Sequence, residues 1–444
     1  MVAAPTVRIP RMPSTLPLSP ALRRAAPADA AMLASSTAAR AAPRSAGNAR
    51  FPLLGRKVAI VGASLGGLCL ARLLQRQGVE VEIHEARSAS DPAWYRRTLA
   101  IDHESAIKAL RSAELGPLFD RCCERERSYT RLLDAQGRRE RDSALPTRAA
   151  LHWRIEYGLL RDLLLNSLLP GSVLWGRRFT SLTGAHDGSQ RLNFANGARA
   201  NADLVIGADG ACSLLRPYAT GSGLRYSGVT LVEAQLPLPE LRVPRIALWL
   251  DRDRLAVRDP DAALILQRNS LRGMDLRVAL RVPRDWSLRA VDWNDPAQAR
   301  ALLKQQLAHW DPKFLRLIDA AEPAFSARPL LTSAPDRNWA ERGAMTLLGA
   351  SARMAPTLLR DRKAGELLDA LELAQALTAP RHRDSIAAAL AHYERNLLAR
   401  AVREGRDAQR VLAALLPQAS VIGQARSWRS VARSLGAFAG RLLP

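Results

Sequence analysis

The period of apolar and polar positions changes several times along the chain. KVAIV, from Lys57, is a short continuous apolar run, and VEVEIHE, from Val79, alternates. Between them GGLCLARLLQRQG carries apolar residues at helical spacing and stops at Gly78. The pattern predicts strand, helix, strand. ESAIKALRSAE and YGLLRDLLLNSLLPG repeat the helical spacing. A strand-rich stretch follows, SVLWG and then RLNFANGARANADLVIGADG, with a hairpin turn predicted at Asn196 and Gly197. IALWLD, AALILQ and DLRVALRVP read as strands of a separate sheet, and AMTLLGAS as a buried strand. A helix-rich tail is predicted from about Glu366.

Composition narrows this picture only a little. The 444 residues suffice for two domains, and 48% hydrophobic with 24% charged residues is ordinary for a globular protein. No apolar run approaches the roughly 20 residues that span a bilayer. The net charge of +23 is unusual, but the arginines are spread along the chain and form no compact basic stripe interleaved with aromatics. We therefore expect no nucleic acid partner, only a general attraction for anionic ligands such as phosphorylated cofactors. The four cysteines, Cys69, Cys122, Cys123 and Cys212, make no CxxC pair, which fits neither a zinc site nor a disulfide framework. A cytoplasmic setting without a bound metal is the expectation.

The two ends read differently from the middle. Residues 1–52 are rich in Ala, Pro, Ser and Arg with one acid, Asp29, and lack an apolar signal core, so a disordered extension is expected. Near the other end, Trp428, Val431, Leu435, Phe438 and Leu442 share one helical face, with arginines elsewhere. Such a helix either lies on an anionic membrane or docks back on the core; docking back is expected.

The chemistry begins in VGASLGG. A strand, a tight glycine turn and a helix set backbone N–H groups and the positive helix end against a pyrophosphate. Gly62 is predicted to make the turn, and Gly66 or Gly67 to let helix and strand pack closely. Ser64 stands where the usual fingerprint has its second glycine; it is small, and its hydroxyl can donate to a phosphate. Glu85, about 20 residues on, ends the second strand where a carboxylate accepts from ribose hydroxyls.

A second segment, ADLVIGADGACSLLR, selects among nucleotides. GADGACSLLR after a GxSxxG unit resembles the second fingerprint of the class A flavin-dependent aromatic hydroxylases, the para-hydroxybenzoate hydroxylase-like family. The first motif, GASLGGL, is similar to members of the 2,6-dihydroxypyridine hydroxylase type, and HWRIEYGLLRDLL and HYERNLLARAVREGR resemble their helices. The likeness runs over residues 57–406. It implies FAD bound at Gly62, Ser64, Gly66, Gly67 and Glu85, with Asp209 and Gly210 beside the flavin's ribose region and a helix opening near Ser213. It also makes Arg154 a candidate for the pyrophosphate, since a guanidinium offers paired donors.

The third fingerprint of that family departs here. Gly349, Pro356, Asp369 and Ala370 fit, but Ala350 replaces the aspartate that binds the ribityl chain, and LRDRK at residues 359–363 replaces a glycine-rich loop. Losing one carboxylate contact costs about 1–3 kcal/mol, which leaves the other FAD contacts in place. Two readings therefore stand. One is an FAD-dependent monooxygenase that consumes NAD(P)H and O2 to hydroxylate an aromatic or heteroaromatic small molecule. The other is a non-catalytic or weakly FAD-binding relative. The implied fold is α/β: a Rossmann-like FAD-binding domain split over residues 55–220 and 336–400, an inserted β-sheet substrate domain at 221–335, and a helical tail at 401–444. Tyr226 and residues 245–282 are expected to line the substrate sheet. No catalytic base can be assigned, and none is required where the cofactor carries the oxygen chemistry.

Overall fold

A computed structural model describes residues 53, 55–89, 98–101, 104–140, 150–184, 189–220, 223–251, 253–269, 273–289, 291–333, 344–353, 355, 358, 363–379 and 385–417. The proposed extension at residues 1–52 and the amphipathic stretch at 424–443 lie outside the described residues.

The chain opens with β1 (Lys57–Val61), helix α1 (Leu65–Gln75) and β2 (Glu80–His84). Next come β3 (Thr98–Ile101), β4 (Glu124–Ser128), β5 (Thr130–Asp134) and β6 (Ala150–Glu156), which runs into helix α2 (Tyr157–Asn166). The short strand β7 (Val173–Leu174) precedes a meander of β8 (Phe179–Gly184), β9 (Gln190–Phe194) and β10 (Arg199–Ala202), then β11 (Leu204–Gly207). The hairpin between β9 and β10 turns at Gly197, with φ +80°.

A second group of strands follows: β12 (Leu224–Leu236), β13 (Arg254–Arg258), β14 (Ala262–Arg268), β15 (Met274–Arg281) and, after helices α3 (Pro296–Gln306) and α4 (Pro312–Ala320), β16 (Ser326–Ser333). The chain then returns through β17 (Met345–Leu347) to the long helices α5 (Lys363–Thr378) and α6 (Ile386–Leu415).

Two sheets organise the molecule. The first is wholly parallel, in the order β17-β11-β1-β2-β7. Its central strands β1 and β11 are short, largely apolar runs, as buried parallel strands are. α1, with every residue buried, packs against α5 beneath it. The second sheet runs β16-β12-β15-β14-β13-β5, antiparallel except for the β13–β5 pair. Its alternation sorts side chains by face. Val232, Leu255, Leu264, Leu276 and Val278 pack with Leu303, Phe314 and Leu317 of α3 and α4. The opposite face carries Leu231, Ala256, Ala263, Ile265 and Ala279, which meet Leu358 and the end of α6 at Leu415 and Leu416.

One predicted strand is a helix. IALWLD falls in a helix at Pro244–Leu250, with Pro244 in the first turn, where its missing N–H costs nothing. Ala247 and Leu250 are buried while Leu248 and Trp249 are exposed. That three-residue spacing is helical, and the run is too short for period alone to distinguish it from a strand.

The α5–α6 pair is tied by buried charge. Asp369, fully buried, accepts from Arg353 Nη2 (2.9 Å) and Arg400 Nη2 (2.7 Å). Arg353 also pairs with Glu404, and Arg400 with Glu372 (2.8 Å). Removing one member of such a cluster leaves uncompensated buried charge, a loss of about 3–5 kcal/mol. Asp369→Asn should therefore lower unfolding free energy by about that much in urea titration; a change below about 1 kcal/mol would show that the cluster does not hold the helices together.

Candidate functional site

Each sequence motif follows the carboxyl end of a strand in the parallel sheet. Gly62 follows β1, Glu85 follows β2, Ala208, Asp209 and Gly210 follow β11, and Leu348 and Gly349 follow β17. The chain leaves β1 toward β2 on one side and returns later to place β11 on the other. The carboxyl end of β1 is thus the topological switch point, where open α/β sheets leave a crevice for ligand.

The three glycines of the first motif have three separate reasons. Gly62 holds φ +106°, and a Cβ there would stand 2.4 Å from the Ala208 carbonyl oxygen. At Gly67 a Cβ would stand 2.4 Å from the Gly62 oxygen, so this glycine packs the helix on the strand. Gly66 faces the other way: its Cβ would meet Leu348 Cδ1 at 2.5 Å and Glu366 Cβ at 3.0 Å. Ser64 is the N-cap of α1, and its Oγ accepts from the Gly67 N–H at 3.2 Å. That bond does not use the hydroxyl's own proton, which can be donated. The first-turn N–H groups of Leu65 and Gly66 have no acceptor within the helix, and this end carries its positive partial charge. Glu85, buried, braces the turn from the next strand: its Oε2 accepts from the Ala63 N–H (2.7 Å) and its Oε1 from the Arg87 N–H (2.9 Å).

The second and third motifs are joined side chain to backbone. Asp209 Oδ1 accepts from the Ser351 hydroxyl (2.9 Å), Ser351 Oγ accepts from the Gly210 N–H (2.7 Å), and Asp209 Oδ2 accepts from the Leu214 N–H (2.9 Å). Arg216 Nη2 donates to the Ala350 carbonyl at 2.7 Å. The helix expected near Ser213 begins instead at Arg216, as Arg216–Ala219; Ser213 Oγ accepts the Arg216 N–H at 3.0 Å, which makes the serine part of the preceding turn. Gly210, at φ +85°, has nothing within 4 Å of where a Cβ would stand. Gly349, at φ +61°, donates its N–H to Asp369 Oδ2 at 2.9 Å.

Other expected residues lie outside the parallel sheet or outside the described residues. Arg154 lies on β6, in a separate sheet, and its Nη2 reaches the Arg268 carbonyl of the second sheet at 3.4 Å. Pro356 and residues 359–362 lie outside the described residues. Ser351 and Arg216 went unassigned in sequence; the only signals were their places two residues after Gly349 and at the end of GADGACSLLR. Among the described residues, no group of three or more His, Cys, Asp or Glu is arranged to hold a metal ion.

The donor set fits the dinucleotide part of FAD: helix N–H groups for phosphate, a serine hydroxyl beside them, and a carboxylate ending β2. Fold and site define a dinucleotide-binding flavoprotein. Residues 56–234 match the family model of the FAD binding domain. The chain is 26% identical over 359 residues to the 6-hydroxynicotinate 3-monooxygenase of Bordetella bronchiseptica, covering 78% of this chain and 89% of that one. Its fold is similar to Klebsiella pneumoniae HpxO complexed with FAD and uric acid, with TM-score 0.65, 20% identity, and 87% and 95% of the two chains covered. It is also similar to 2,6-dihydroxypyridine-3-hydroxylase from Arthrobacter nicotinovorans, with TM-score 0.66, 17% identity, and 82% and 90% covered. The chain thus carries an FAD binding domain and is similar in sequence and fold to FAD-dependent aromatic monooxygenases.

One buried base sits beside Glu85. Burial, with the Arg177 charge adding to it, pushes the His84 imidazole down to about 4. The ring packs on Phe194 at 4.6 Å between centroids, and Glu82, half-exposed at 3.6 Å, does not offset the burial. The folded state thus refuses a proton that the unfolded chain takes up below 6.5. Stability is complete above that pH and is lost as pH falls toward 4, by about 3 kcal/mol. His84→Phe should flatten the acid limb of a Tm-versus-pH profile, and an unchanged limb would assign it to other groups.

Proposed function

We propose that this enzyme uses FAD, NAD(P)H and O2 to hydroxylate an electron-rich aromatic or heteroaromatic ring that carries an acidic substituent. Bound FAD supplies the electron storage and oxygen activation that no amino acid side chain provides. The chain's own residues bind, orient and exclude water. Gly62, Ser64, Gly66 and Gly67 receive the pyrophosphate, Glu85 the adenosine ribose, and Asp209 with Gly210 the edge nearest the flavin. Gly349 is braced as the neighbouring backbone of the cofactor cradle.

The substrate assignment rests on one observation, the inner face of the second sheet. Its apolar residues Ala256, Ala263, Ile265 and Ala279 are covered by Leu358 and the end of α6, so the polar side chains of this face carry the argument. Arg277 rises from the same face between Glu233, at 3.5 Å, and the Leu358 carbonyl of the third-motif loop, at 3.5 Å. Arg328 shares Glu233 at 3.0 Å, so two guanidiniums face one carboxylate. A ring held beside this pair of guanidiniums meets cationic donors at its edge, which favours an anionic substituent. The 6-hydroxynicotinate named for the Bordetella relative is a molecule of this kind. Tyr226 is turned away from such a role: its hydroxyl donates to the Val282 carbonyl at 2.7 Å.

The test is reconstitution of the full chain with FAD, scored by visible flavin absorbance and by NAD(P)H oxidation on adding hydroxylated pyridines and benzenes with and without a carboxylate. Faster oxidation with the carboxylates, coupled to hydroxylated product, is expected. Arg277→Ala should raise KM for the acid by roughly ten- to a hundred-fold and leave KM for the uncharged analogue nearly unchanged. Equal effects on both substrates would remove Arg277 from substrate recognition.

A further inference from the structure

The third motif has lost its carboxylate at Ala350, yet a carboxylate stands beside it. Glu366 lies in the first turn of α5 and is buried. Its Cγ and Cδ lie 2.6 and 3.1 Å from where a Cβ on Gly349 would stand. Its Cβ and backbone oxygen lie 3.0 Å from the corresponding point on Gly66. The side chain therefore occupies space that exists because both neighbours are glycines. It sits where the start of α1 meets the residue preceding Ala350, the corner that a chain running from pyrophosphate to flavin must pass. Asp369 is no substitute there, because Gly349, Arg353 and Arg400 already take its two oxygens.

We propose that Glu366 replaces the missing aspartate, its carboxylate accepting hydrogen bonds from the ribityl hydroxyls of FAD. This rests on the FAD-dependent reading above. A carboxylate on a longer stem, arriving from the helix rather than from the strand end, supplies the same acceptor to the same corner. It explains how Ala350 is compatible with a cofactor that needs polar anchoring between its phosphate and its ring. An acid in a first helical turn is also favoured by the helix dipole alone, so the experiment must separate cofactor contact from helix support.

ADP makes that separation, because it carries the pyrophosphate and adenosine but no ribityl chain. FAD and ADP affinities of the full-length chain are measured by calorimetry for the parent, Glu366→Gln, Glu366→Ala, Ala350→Asp and the Ala350→Asp/Glu366→Ala double variant. Apoprotein melting temperatures confirm folding, and the near-isosteric Gln variant guards against collapse of the Ala variant. Glu366→Ala should bind FAD roughly ten- to a hundred-fold more weakly while ADP changes by less than about twofold. Glu366→Gln, whose amide oxygen still accepts, should fall between. Ala350→Asp should restore FAD affinity in the Glu366→Ala background and give no gain in the parent, where two carboxylates would crowd one corner. Parent-like FAD binding by both Glu366 variants, equal loss of FAD and ADP, or failure of Ala350→Asp to restore binding would overturn the inference while the FAD reading stands. A parent that binds ADP and no FAD would overturn both.

Discussion

The binding edge depends on how closely the end of β1 approaches the end of β11. The Ala208 N–H donates to the Val61 carbonyl at 2.7 Å, and the next backbone unit passes so near that Gly62 has no room for a Cβ. The Gly62 oxygen in turn denies a Cβ to Gly67. Strand, turn and helix are thus locked by backbone contact, and the helix start is presented at a fixed height above the sheet. Ser64 answers to this geometry: its extended backbone, φ −69° and ψ 166°, does not demand glycine. The position is free to carry a capping hydroxyl, and a serine there keeps a phosphate donor that glycine lacks.

Features governed by neighbours in sequence were legible in advance. The turn at Gly62, the helix stop at Gly78, the hairpin at Gly197 and the strand-end position of Glu85 each follow from a few adjacent residues, and each is where the pattern puts it. Features governed by distant partners were not. Asp209 and Ser351 meet across 142 positions, and Gly210 and Ser351 across 141. A serine in GASAR has no local mark that distinguishes it. β5 joins the second sheet from before α2, through parallel pairing with β13, which no run of alternating residues announces. IALWLD differs for another reason, since a helix of seven residues with mixed exposure satisfies strand and helix periods alike.

The arginine excess also changes meaning once partners are known. A share of it is internal. Arg72 donates to the Ser167 carbonyl at 2.9 Å, Arg216 to Ala350, and Arg353 and Arg400 sit in the α5–α6 cluster. In each case a planar guanidinium spans two elements that share no backbone bonds, which a lysine's single ammonium does less well. Other arginines, Arg277 and Arg328 among them, lie on the inner face of the second sheet. Scattered along the sequence, they converge only through the antiparallel register.

The third motif is where scaffold and chemistry come apart. An aspartate at its second position could serve both ends, shaping the turn and holding the cofactor. Here the shape is secured without it: Asp369 holds the Gly349 N–H, Arg216 holds the Ala350 carbonyl, and Ser351 links Asp209 to Gly210. Three consecutive residues each have a partner outside their own segment, so the backbone conformation does not depend on the side chain at 350. Alanine there removes a ligand contact and no architectural one. That independence is what lets a carboxylate from another element take over the contact, because the corner it must reach stays in place.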